Sequence, residues 1–127
     1  MRKLLPIIAI ALSAHAYAAD FDLKATMKQM KFEFKQAAQA EQIEPMQTAI
    51  SNLTSLVELS KQGHYPPEKT GLYLEGFNKL SVALAEVDAK LSDGDLASAK
   101  QALKQVDALR EEYHDKRNPS IWSTIFG

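Results

Sequence analysis

Two residues far apart in the chain carry side chains able to hold a metal between them: Met27, a thioether, and His114, an imidazole. A sulfur and a ring nitrogen facing each other across a helical bundle can ligate a haem iron from opposite sides. The imidazole donates well to both iron states, and the soft thioether favours the ferrous one and raises the potential. Each residue also has a plainer use. Methionine fills gaps in helical cores, and a histidine near a helix C-terminus complements the macrodipole. Other chemistries lack parts. There is no cysteine, which excludes disulfides, thiolate metal sites, a thiol nucleophile and thioether-attached haem. Glu111 and His114 form a Glu-x-x-His, but di-iron bundles need that motif twice, with a glutamate from each of two more helices. No phosphate loop, dinucleotide fingerprint or Gly-x-Ser-x-Gly occurs. The net charge of −1 offers no basic excess for nucleic acid.

The elements that must position these residues are helices. Residues 1–18 read as an export signal: Arg2 and Lys3, then an apolar stretch from Leu4 to Leu12, then Ala16-Tyr17-Ala18 as an A-x-A cleavage site. The apolar stretch is too short to span a bilayer. The expected location is therefore the periplasm, with no stable membrane insertion after cleavage. Beyond it, helical periodicity appears four times and sustained alternation never. Helix 1 runs from about Asp22 to Ala40, with Leu23, Met27, Met30, Phe34, Ala37 and Ala38 inward. Helix 2 starts at Glu44-Pro45, with proline at the first helical position, and Gly63 reads as its C-terminal stop. His64-Tyr65-Pro66-Pro67 is a loop. Helix 3 spans about Lys69 to Ser92. Asp93-Gly94-Asp95 turns the chain and caps helix 4, which runs from about Asp95 to Arg117. The fold class is all-α, an antiparallel up-down-up-down four-helix bundle over residues 19–117.

That topology puts the start of helix 1, the end of helix 2, the start of helix 3 and the end of helix 4 at one end. Met27 lies roughly 7 Å into helix 1 and His114 roughly 5 Å from the end of helix 4. Tyr73 and Phe77 on helix 3 lie near the same end. Met30, one turn beyond Met27, is a rival ligand in a shifted register. His64 reads as a solvated loop histidine. Arg110, on the flank of an apolar stripe, either snorkels to solvent or pairs with a carboxylate.

Several runs resemble the cytochrome b562 family: Ala19-Asp20-Phe21-Asp22-Leu23 followed by Met27, the Pro66-Pro67 loop, Gly76-Phe77 through Gly94, and Arg110-Glu111-Glu112-Tyr113-His114-Asp115-Lys116-Arg117. That family is itself a type example of the up-down-up-down bundle. The resemblance implies one non-covalent b-type haem per chain at one end of the bundle. By position, its axial ligands fall on Met27 and His114. Its haem-contacting aromatics fall on Phe77 and Tyr73, and an arginine near the haem edge falls on Arg110. The sequence departs from the family in a shorter loop between helices 2 and 3, in several polar positions on helices 1 and 2, and in residues Asn118 to Gly127, which extend past the family's usual end.

The function expected is single-electron transfer in the periplasm, with no enzymatic activity, by a monomer whose redox donor and acceptor the sequence does not name. Residues 118–127 form a C-terminal extension. There Ile121, Trp122, Ile125 and Phe126 recur at helical spacing, fit to fold back on the bundle or to meet a partner. A haem-free periplasmic adaptor or stress-sensing protein is the alternative, and a haem-storage protein a third.

Overall fold

The computed structural model describes residues 21–116, with side chains as far as Tyr113. The export signal over 1–18, the His114 side chain and the 118–127 extension lie outside the described residues. Four helices make up the fold: α1 (Leu23–Gln39), α2 (Ile43–Ser60), α3 (Thr70–Ser92) and α4 (Leu96–Lys116). Every boundary falls within two residues of the one that periodicity and caps predict.

Local chemistry explains the ends. Asp22 caps α1, its carboxylate accepting from the backbone N–H of Lys24 at 3.0 Å and Ala25 at 3.3 Å. Asp95 caps α4, accepting from the Ser98 N–H at 3.0 Å and the Ser98 hydroxyl at 2.7 Å. Those bonds hold the Asp95 carboxyl below the usual carboxylate range, the backbone donor first. Between them, α3 ends in a Schellman turn: Gly94 takes φ +75°, its N–H reaches Leu91 O at 2.9 Å, and the Asp95 N–H reaches Lys90 O at 3.0 Å.

Three expectations need correction. Pro45 stands at the third helical position of α2, because the helix opens at Ile43 behind Gln42. Its missing N–H still falls among the unpaired first-turn donors. Gly63 is not a left-handed cap. The helix has already ended at Ser60, and a Cβ on Gly63 would stand 2.6 Å from the Phe21 ring and 2.9 Å from the Tyr65 hydroxyl. Glycine is there to let a ring approach. Ala38 is exposed, and Ala40 takes the inward place at the end of α1.

The core draws on all four helices: Met27, Met30 and Ala37; Met46, Ile50, Leu53 and Val57; Phe77, Leu84, Val87 and Leu91; Ala99, Leu103 and Val106. Close packing follows chain order, α1 on α2, α2 on α3 and α3 on α4. The α1–α4 seam is the loose one among the described residues. It is tied at one end, where Lys100 Nζ donates to the Ala38 carbonyl at 2.9 Å. A lysine on the last carbonyls of α1 also complements that helix's dipole.

Candidate functional site

At the opposite end, Tyr73 and Phe77 stand four residues apart on α3 and so share a face. Both are buried, with ring centroids 6.3 Å apart. Tyr65 joins them from the α2–α3 loop. Its ring stacks on Tyr73 at 4.5 Å and lies 6.1 Å from Phe77, while its hydroxyl donates to Ser60 O at 2.5 Å. The loop is thus bent inward by one aromatic side chain, and the neighbouring His64 is left exposed.

Met27 on α1 is fully buried and belongs to the same core as Tyr73 and Phe77. On α4, the residue before His114 is anchored firmly. Tyr113 is buried, its hydroxyl donates to Glu75 Oε2 of α3 at 2.5 Å, and Lys79 Nζ lies 5.7 Å from its ring centroid. Lys79 also pairs with Glu75 at 3.6 Å. A hydrogen bond with Tyr113, and then the carboxylates of Glu75 and Glu112, hold Lys79 above the usual lysine range. The last turn of α4, which carries His114 in its backbone, is therefore set by a Tyr113–Glu75–Lys79 cluster.

A cavity of about 210 Å³ opens on the α1–α4 seam. Its walls are apolar: Met30 and Phe34 from α1, Leu53 and Val57 from α2, Leu80 and Leu84 from α3, Val106 from α4. Its polar lining is Lys31, Lys35, Asp107 and Arg110. Arg110 is 28% exposed, with Nε on Asp107 at 2.9 Å and Nη2 at 3.7 Å from Glu111. Both pairs are of the partly exposed kind worth at most about 1 kcal/mol, so the guanidinium can exchange them for another carboxylate at little cost.

The structure thus gathers Met27, Tyr73 and Phe77 into one buried group, and Met30 and Arg110 onto one cavity. Met27 is not among the residues lining the cavity. The sequence places Tyr65 correctly in a loop but gives it no role in the site, and it does not single out Glu75. A tyrosine beside two prolines was the available signal for the first. The second had none, because a contact between residues so far apart depends on how α3 and α4 pack.

A family model described as Cytochrome b562 matches residues 22–118. No curated protein sequence matches the chain. Among the described residues, no helix is long and apolar enough to cross a membrane.

Proposed function

The chain belongs to the cytochrome b562 family, a family of haem-binding electron carriers, and on that footing we propose that it is a periplasmic b-type cytochrome. It holds one haem non-covalently and passes single electrons. Met27 and His114 would hold the haem's iron, Phe77 and Tyr73 would pack near it from α3, and Arg110 would pair with a propionate. Catalysis is no part of this role.

The observation that carries the reading is the apolar cavity on the seam between α1 and α4, the two helices that bear Met27 and His114. The residues around it suit the group. Aliphatic and aromatic walls supply burial, worth about 25 cal/mol for each Å² of apolar surface removed from water. Thioether sulfurs stand on α1, and Arg110, Lys31 and Lys35 offer cations to carboxylates. Ligand pockets of this kind run to about 300–1,000 Å³. The cavity is smaller than that, so holding a flat macrocycle would require the α1–α4 seam, which has least packing to lose, to widen.

Bound haem would supply a one-electron ferric/ferrous couple. The rest is the protein's work. Tyr113, held to Glu75, keeps the end of α4 in place, so the turn carrying His114 does not swing as charge changes. Met27, enclosed in the core, would offer its sulfur where water does not reach. With both Met27 and His114 holding the iron, neither side would be left for oxygen, which would suit electron transfer.

Met30 has a specific claim as the thioether ligand, since it lines the cavity and Met27 does not. The function itself is tested by titrating the purified chain with haemin. Uptake of one equivalent, with sharp low-spin bands in the oxidised and dithionite-reduced spectra, is the expected result. Failure to take up stoichiometric haemin would remove the cytochrome reading and leave a haem-free adaptor.

A further inference from the structure

α1 has an outward, lysine-rich face that the core does not use and that meets the cavity only along one edge, at Lys31 and Lys35. Lys24, Lys28, Lys31 and Lys35 follow one another at spacings of four, three and four, which lays them in one stripe along the helix. Lys24, Lys28 and Lys35 are exposed and Lys31 half-buried. None of the four forms an ion pair among the described residues. Elsewhere among the described residues, Lys61, Lys79 and Lys90 each pair with a glutamate on their own helix or its end, Lys100 bonds the Ala38 carbonyl, and Lys69 and Lys104 stand singly rather than in a stripe.

The stripe is not neutralised by its own helix. The single acid in α1 is Glu33, half a turn round, buried and accepting from Gln29 Nε2 at 3.3 Å. By contrast, α2 carries Glu44 and Glu58 and no basic residue. A chain of net charge −1 thus concentrates unpaired positive charge on one helix. On the same face, four residues from Lys28 and three from Lys35, stands Phe32, 52% exposed. An uncovered aromatic ring among cations has the make-up of a docking patch: an apolar anchor that loses water on contact, inside a charged border that steers and orients.

We propose that this face of α1 docks an acidic face of a partner protein, with Phe32 as its apolar anchor. The inference rests on the electron-carrier reading for the partner's role, as a donor or acceptor of electrons. Position supports it, because Lys31 and Lys35 also line the cavity, so a partner seated on the stripe lies at the mouth of the proposed haem slot. A protein rather than a membrane is favoured because α1 turns its other large apolar side chains inward or half-inward; one ring is too little for an interfacial helix, which needs a full apolar face.

The test uses immobilised poly-L-glutamate as the acidic polypeptide, at about 10 mM salt, where the Debye length is about 30 Å. The purified chain is assayed both haem-free and after haemin is added. The variant Lys24→Gln, Lys28→Gln, Lys31→Gln, Lys35→Gln is compared with Lys61→Gln, Lys69→Gln, Lys90→Gln, Lys104→Gln, which removes the same charge elsewhere. Circular dichroism establishes that both fold. The α1 variant should bind about tenfold or more weakly, and the control within threefold of the unchanged chain. Equal losses in the two variants, or none in the first, overturn the proposal. Tighter binding to phosphatidylglycerol vesicles than to polyglutamate overturns it in favour of a membrane. Retention by the haem-free chain is read separately from haem uptake, so failure of the cytochrome reading leaves the docking result standing, and the reverse.

Discussion

Where α3 turns into α4, a Schellman turn at Gly94, the Asp95 cap and the Lys100–Ala38 bond draw α3, α4 and α1 together. Small residues, Ala37, Ala40 and Ala99, fill the space between them. Toward the other end, α3 and α4 are joined through Tyr113 and Glu75, and the α2–α3 loop is held by Tyr65 on Tyr73. Yet α1 and α4 stay apart over a cavity that Met30 and Arg110 share. The same amphipathic helices thus close where small side chains and backbone bonds meet, and stay open where large, flexible ones face each other. A bundle can be stable and still carry a slot, provided the slot lies on the one seam that no short connection ties.

Four changes would break or sharpen this contrast, from the largest expected effect down. Leu91→Ala, at the closed end, should cost about 3–5 kcal/mol, since a fully buried leucine there leaves a void that cannot collapse. Urea unfolding with an unchanged m-value reads it. Val106→Phe, in the cavity wall, should leave stability level or raise it by up to about 2 kcal/mol while abolishing haemin uptake. A large loss of stability there would mean the cavity is already packed. Gly94→Ala should cost about 1 kcal/mol, because its φ of +75° is strained for any side chain. Acid should loosen the α2–α3 pair and the α4 cap together. Glu58, held below its usual range by hydrogen bonds from Lys61 and from Ser81 of α3, and Asp95 are both carboxyls whose folded pKa is depressed. Their contribution is complete above the ordinary carboxylate range and fades as pH falls below about 4. Glu58→Gln should flatten the stability profile there, which urea midpoints from pH 7 to pH 3 would show.

Most of the fold was legible because it is local. Aspartates 22 and 95, Gly94 and the apolar stripes each specify a boundary within a few neighbours. Gly63 was misread because its reason is distant: the ring of Phe21 arrives from another part of the chain. The site was less legible for the same cause. Tyr73 and Phe77 announce themselves by spacing, whereas Tyr65 enters the cluster only through the folded loop. Periodicity puts Met27 and Met30 alike on the inner side of α1, and only packing separates a sulfur enclosed in the core from one that lines the cavity.

That separation is also the most direct point of attack. The reduced visible spectrum of the haemin-loaded chain should be compared with those of Met27→Leu, Met30→Leu and His114→Ala. Sharp low-spin bands lost in Met27→Leu and His114→Ala, but kept in Met30→Leu, are the predicted result. Bands that survive His114→Ala, or that survive Met27→Leu and vanish in Met30→Leu, would contradict the Met27–His114 pair.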